Sequence, residues 1–255
     1  MKIDVVIPAH EKDVEILNHC IKGIKKNIAG VNRIIVVSKE KYTDLAEWHD
    51  EANYPFSYKE ISKLVLGNVG WNYQQLLKLY APLVIPDISE NVLIIDADTV
   101  FYKKVKFFDG QIPLYNPSKD QDLKKKPFHN AVLEHIKKLL PRIFTDLPES
   151  TFDTSGICHH MIFQKNKIKD LFAKVEEIDA SGDPFYKIFI KNQANETGIS
   201  EYNLYFYFLA CYHKDSYKLR KLKYKNCAKF SPIKEFIRRK YDYCSYHSYM
   251  RKEIK

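Results

Sequence analysis

Residues 91–101 read NVLIIDADTVF. An apolar run enters two aspartates one residue apart, and the chain then turns apolar again. Carboxylates held this close repel, and they are tolerated when a cation lies between them or when one keeps a proton. The apolar run predicts a buried strand, and a DxD at its end aims both carboxylates at one hard cation. Mg²⁺ or Mn²⁺ in that position would bridge them to a diphosphate.

The flanking sequence supplies a sheet for this turn. IDVVIPAH (3–10) reads as a buried parallel strand stopped by Pro8. Val14, Leu17, Ile21, Ile24 and Ile28 recur at helical spacing, with Gly30 as a C-cap candidate. NRIIVVS (32–38) is a second strand, so a βαβ unit with a right-handed crossover is expected. In open α/β sheets ligands bind beyond the carboxyl ends of the strands. Pro8, Ala9 and His10 therefore share one rim with Asp96 and Asp98. The remaining pattern predicts a helix over 42–52, a short strand at 56–62, and a helix over 68–86 that Pro82 bends or ends. It continues with a strand at 111–116, a helix at 130–140 and a strand at 159–165. Helices follow at about 167–178, 184–192 and 201–212, then an alternating strand over 217–224. The tail after Pro232 starts as a helix and ends irregular. One continuous α/β domain over 1–255 is expected. Its parts are a nucleotide-binding half at 1–100, an acceptor half at 101–230 and a basic segment at 231–255 that closes the site.

The formal charge of +9 is concentrated at one end of the 255-residue chain. Between Lys214 and Lys255 there are fourteen Lys and Arg against four Asp and Glu. Such a segment suits nucleic acid, anionic lipid or a phosphorylated small molecule, or is a solvated basic face. The five cysteines are scattered and contain no CxxC, which argues for reduced thiols in a cytoplasmic setting and against a disulfide framework or zinc knuckle. The apolar start is short and interrupted by Asp4, unlike a signal peptide. No run of about 18 apolar residues predicts a membrane span.

Two enzyme classes compete for the acidic motif. LIIDADTV fits the hhhhDxDx(T/V) string of haloacid-dehalogenase-like phosphatases, in which Asp96 would be the nucleophile and Asp98 the acid/base. Those enzymes carry the string on their first strand and need a later GDxxxD. Here a βαβ unit precedes the string, and SGDPFYK offers Asp183 with Lys187 where the second Asp should stand. A sugar-nucleotide pyrophosphorylase opens with a Gly-rich loop, and PAHEKD contains no Gly. A non-enzymatic basic module that holds nucleic acid or an anionic membrane is a third reading.

The segments DVVIPAHEKD, IIVVS, GWNYQQLLKLYA, VLIIDADTVF, HHMIF and SEYNLY occur in this order over roughly residues 3–210. Together they resemble the DUF6492 group of GT-A-like proteins. The resemblance implies a nucleotide-diphospho-sugar transferase fold, a single mixed central sheet flanked by helices, and a metal-binding DxD. It implies Asp98 and Asp96 as metal contacts, with Asp96 also able to hold the ribose. It implies Pro8, Ala9, His10 and Ser38 near the nucleoside. Gln75 and Lys78 lie three apart on one helix face, and the resemblance places Lys78 near the donor phosphates. His247 would complete the metal shell, with His213 as a weaker substitute, and Arg251 would clamp the diphosphate. Asp153, His159 and His160 are the polar groups beside the transferred sugar. Strand alternation allows only one histidine to face the cleft, and His160 is preferred. Ser200 caps a helix start with Glu201 in its first turn, and Glu201 is a candidate general base. Trp71 is a core or sugar-stacking residue.

The expected activity is therefore a Mn²⁺- or Mg²⁺-dependent transfer from a nucleotide sugar, most simply a UDP-sugar, to the hydroxyl of a glycan or another acceptor. No nucleic-acid partner is expected, and the basic end could touch an anionic membrane.

Overall fold

The computed structural model describes residues 2–65, 67–119, 123–196, 198–228, 230, 238–247 and 250. Strand β1 (Ile3–Pro8) is buried along its whole length, and the last five residues of β2 (Val31–Ser38) are buried too. Burial on both faces is what continuous β-branched runs specify in a parallel sheet. Helix α1 (Val14–Asn27) connects them and packs Leu17, Cys20, Ile21 and Ile24 into the core. Gly30, at φ 80°, turns the chain from α1 toward β2, and Ile3 N donates to its carbonyl oxygen. Strand β3 (Glu47–Asp50) follows, then helices α2 (Tyr58–Ile61) and α3 (Val69–Val84) and the strands β4 (Asn91–Ile95) and β5 (Thr99–Phe101).

The second half adds β6 (Ile112–Tyr115), α4 (Pro127–Leu139), α5 (Arg142–Asp146) and β7 (His160–Gln164). Helices α6 (Lys165–Asp179), α7 (Phe185–Lys191) and α8 (Glu201–Tyr212) come next, and β8 (Tyr224–Cys227) and β9 (Tyr243–Tyr246) complete the series. The central sheet has the order β7-β4-β1-β2-β3. Strands β1 to β4 run parallel and β7 is antiparallel to β4, which is the mixed α/β architecture expected of the GT-A class. A smaller sheet, β8-β9-β5, stands beside it. Among the described residues no helix is long and apolar enough to cross a membrane.

Several local expectations change. Residues 42–52 are not a helix: β3 lies there and extends the sheet beyond β2. The outer edge of β2 needs backbone partners, and Arg33 grips Glu47 at 2.7 Å across the pair. Residues 56–62 are not a strand but hold α2, because Ser57 Oγ caps the Glu60 amide at 3.1 Å. Helix α3 continues through Pro82 and ends two residues later at Val84. The single strand expected over 217–224 is replaced by a two-residue strand, Lys218–Leu219, and by β8, with irregular chain between them. The tail expected to end irregular holds β9, whose backbone pairs with β5. The helix start after Pro232 and Arg251 lie outside the described residues.

Gly156 shows how tightly the chain before β7 lies on α8. A Cβ there would stand 2.6 Å from Phe206 Cβ and 2.8 Å from the Tyr202 carbonyl oxygen. The Gly156 amide meanwhile donates to Asn203 Oδ1 at 2.6 Å. Gly156→Ala is expected to lower the unfolding free energy by about 1–3 kcal/mol, measured by urea denaturation, because helix backbone must move to admit the methyl group.

Candidate functional site

Strand β4 ends at Ile95, and the chain makes a tight turn in which the Thr99 amide donates to the Asp96 carbonyl at 2.9 Å. The Asp96 amide donates to the His159 carbonyl at 2.9 Å, which ties the turn to the entry of β7. Strand β9 then fixes the far side. Its register pairs Ser245 with Thr99, and the Tyr246 amide donates to the Asp98 carbonyl at 3.0 Å. This carries two side chains to Asp98: Ser245 Oγ donates to Oδ1 at 2.8 Å, and His247 Nδ1 lies 3.2 Å from Oδ2. Burial pushes the Asp98 carboxyl upward, but the contacts with His247 and Ser245 outweigh it and hold it below the usual carboxylate range.

Asp96 faces the other way. Its Oδ1 accepts from Lys78 Nζ at 2.5 Å and from the Tyr202 hydroxyl at 3.2 Å. The same ammonium donates to Glu201 Oε1 at 2.6 Å and lies 4.6 Å from the centre of the Tyr202 ring. Glu201 enters at the start of α8, where Ser200 Oγ caps the Asn203 amide and Gln75 Oε1 accepts from the Glu201 amide at 2.9 Å. Burial works against the charge on Lys78, yet the two carboxylates win and raise its pKa above the ordinary lysine value. Burial raises Glu201, Lys78 opposes the rise and Asp96 adds to it, as expected when two carboxylates share one ammonium. The side chains of Glu201 and Lys78 are 4% and 5% exposed, whereas Asp96 is 23% exposed. Asp96 thus stands at the open end of the cluster, with Lys78 and Glu201 behind it.

The two histidines exchange the positions expected of them. His159 has φ 62° and lies before β7, so the alternation used to choose between the pair does not extend to it. Its ring centre is 5.0 Å from that of His247. His160 packs among Phe101, Phe107 and Tyr243 at 5.0–5.4 Å and is 1% exposed. The histidine beside the acidic turn is therefore His159, and His160 belongs to the core. Asp153 ends the turn Glu149–Asp153, where its charge acts on His129 and Tyr207; it joins none of the contacts above. His213 pairs with Asp170 at 2.7 Å on the link between α6 and α8.

Beyond β1 a cavity of about 900 Å³ opens, lined by Pro8, Ala9 and His10 together with Tyr42, Trp71, Tyr73 and Gln74. His10 is held as a cap, with the Lys12 amide 3.4 Å from Nδ1. Trp71 is an exposed wall of this cavity and not a core residue. Ser38 is buried, and its Oγ donates to the Glu40 carbonyl at 2.6 Å, so it shapes the adjoining loop. Gln75, expected near the nucleotide, turns inward to Glu201, and its neighbour Gln74 faces the cavity.

Three contributors escaped the sequence. Asp13 is buried, and burial raises its carboxyl, Lys12 draws it back and the charge of Asp98 adds to the rise. Tyr202 and Ser245 complete the hydrogen bonds of the acidic pair. Ser245 and His247 would have been linked by period-2 spacing had 243–247 been recognised as a strand.

Among the described residues no three His, Cys, Asp or Glu side chains converge as a ready metal cage. The donor chemistry nonetheless fits a divalent cation. Asp98 and His247 offer oxygen and imidazole nitrogen side by side, Asp96 is one turn position away, and the buried His159 Nδ1 has no hydrogen-bond partner. The charge of Asp98 acts on Asp13 and that of Asp96 on Glu201, and Lys78 is the ammonium that touches Asp96 and Glu201.

Burial pushes the His159 imidazole down from 6.5 to about 4, against the pull of Asp96. The unfolded chain takes up this proton near pH 6.5 and the folded chain only near pH 4. The stability linked to neutral His159 is thus complete above pH 6.5 and is lost as pH falls through this window. Its full size is roughly 3 kcal/mol. His159→Asn, which tolerates the left-handed backbone, is expected to flatten that part of the acid dependence in urea melts between pH 7 and 4.5.

Comparison with curated proteins finds no match. Among solved structures, mouse xyloside xylosyltransferase 1 in its apo form is similar with a TM-score of 0.44 and 9% identity, over 98% of both chains. The galactosyltransferase LgtC in complex with donor and acceptor sugar analogues is similar with a TM-score of 0.47 and 10% identity, over 95% of this chain and 86% of that one. At these scores neither structure lends a residue role to this chain. The family of unknown function DUF6492 matches residues 2–229, and the chain belongs to that family.

Proposed function

We propose that the protein is a GT-A type glycosyltransferase that moves a sugar from a nucleotide-diphosphate donor, most simply a UDP-sugar, to an acceptor hydroxyl. One observation carries this reading. The Asp96–Asp98 turn, with His247 hydrogen-bonded to its second aspartate, stands at the carboxyl ends of the same parallel strands that open onto the Pro8–His10 cavity. That is where an open α/β sheet binds its ligand. The cavity is wide enough for a nucleoside and is walled by aromatic rings.

The residues divide the work by position. Trp71, Tyr73 and the 8–10 segment enclose the nucleoside. Asp98 and His247, with Asp96 beside them, would hold Mn²⁺ or Mg²⁺. Such a cation supplies Lewis-acid neutralisation of the departing diphosphate. Lys78, on the same helix as the cavity residues Trp71, Tyr73 and Gln74, adds a positive charge beside Asp96. Glu201 lies behind Lys78, so in this reading it orients the ammonium and does not deprotonate the acceptor. His159 stands beside His247 at the sugar side of the turn.

Thermal-shift measurements with UDP-, GDP- and CMP-sugars, each with and without Mn²⁺, test the proposal. A metal-dependent rise in the melting temperature with one nucleotide is expected, and Asp98→Ala should abolish it. Silence toward every nucleotide, together with a phosphatase activity lost in Asp96→Asn, would replace this reading with the phosphatase one.

A further inference from the structure

We propose that the ammonium of Lys78 is a resident counter-ion that holds Asp96 until a nucleoside diphosphate arrives, so that a divalent cation is bound firmly only together with the nucleotide. The inference rests on the transferase reading for the identity of the nucleotide. Its physical basis is the cluster itself.

Lys78 Nζ makes two charge-assisted hydrogen bonds, 2.5 Å to Asp96 and 2.6 Å to Glu201. Tyr202 donates to the same Asp96 oxygen at 3.2 Å, so Oδ1 already serves two donors. Asp98, one position beyond Ala97, has Ser245 and His247 on its two oxygens. In this state Asp96, the more exposed of the acidic pair, is turned toward an internal cation and away from its partner.

An incoming divalent cation meets Asp96 first and competes with Lys78 for it. The two cations cannot share the carboxylate without cost, because like charges a few ångströms apart repel strongly where water is scarce. Lysine is suited to yielding: its charge sits on a four-carbon stem with freely turning donors. Glu201 keeps one hydrogen bond to Nζ from the buried side, so Lys78 can release Asp96 without becoming an unpaired buried charge. A diphosphate would supply the missing partner: it would accept from Lys78 and so free Asp96 to help hold the divalent cation. Cation and nucleotide therefore raise each other's affinity by the same factor.

Mn²⁺ binding to the full chain, read from the electron paramagnetic resonance of free Mn²⁺, tests this. A protein-free control removes the Mn²⁺ that UDP itself holds. The wild type is expected to bind Mn²⁺ weakly alone and at least about tenfold more tightly with UDP. Lys78→Gln should bind Mn²⁺ alone at least about tenfold more tightly than the wild type, with the gain from UDP shrinking by a similar factor. Glu201→Gln leaves Lys78 to Asp96 alone and should weaken Mn²⁺ binding. A folded Lys78→Gln protein with wild-type Mn²⁺ affinity and an unchanged UDP effect overturns the proposal. If that variant does not fold, Mn²⁺ binding to Glu201→Gln that equals or exceeds the wild type overturns it. Tight Mn²⁺ binding to the wild type without nucleotide removes the role of Lys78 and leaves the transferase reading standing. Absence of Mn²⁺ binding with UDP, GDP or CDP overturns both.

Discussion

One ammonium between two carboxylates fixes the geometry of this molecule's polar centre. Lys78 comes from α3, Asp96 from the turn after β4 and Glu201 from the first residue of α8. Each charge would be costly alone at this depth, and only a closed set of partners makes the burial tolerable. The set constrains three elements at once. Helix α3 must present Gln75 and Lys78 on one face, α8 must begin at Ser200, and the turn must point Asp96 inward. Removing any one member leaves charge without compensation, so the cluster acts as a joint between the sheet and helices α3 and α8.

Around that joint, the fold separates two tasks. The parallel strands deliver a cavity rim and an acidic turn to the same edge, which follows from strand direction alone. The smaller sheet then delivers Ser245 by strand pairing and His247 just past the end of β9. Asp98 is therefore held between the turn after β4 and strand β9. Part of the basic C-terminal charge also has an internal use: Arg220 lies 4.5 Å over the Phe107 ring and Arg238 lies 4.6 Å over the Tyr246 ring. Arg238 thus packs on the small sheet, whereas Arg220, whose amide donates to the Tyr115 carbonyl, packs beside β6.

The parts legible in the sequence are those in which local pattern and burial agree. The apolar runs of β1, β2 and β4, the helical spacing of α1 and the DxD position all read correctly. So did the pairing of Gln75 and Lys78 on one face, although Gln75 faces Glu201 and not the cavity. Segment 42–52 misled because its charged residues suit a helix, while the unpaired edge of β2 draws it into a strand. Ser57 and Glu60 spell a capping signal that a run of aromatic residues disguised. The choice between His159 and His160 rested on strict alternation, which a left-handed residue at the strand entrance breaks. The position of β9 had no local signal at all: a tyrosine-rich, weakly patterned tail becomes a strand only because β5 offers it an edge.

The hydroxyls of Thr99 and Ser245 meet at 2.9 Å across a sequence separation of 146 residues. A contact so distant along the chain closes late in folding, after the local βαβ unit has repaid its own loop entropy. Until then the two aspartates of the DxD turn face water without Ser245 or His247. Maturation of the acidic turn is thereby deferred to the end of the folding route, and the smaller sheet becomes the natural first place for the native protein to open. Amide exchange in β9 would then be faster than in β1 or β4, and each such opening would dismantle His247's contact while the central sheet stays closed.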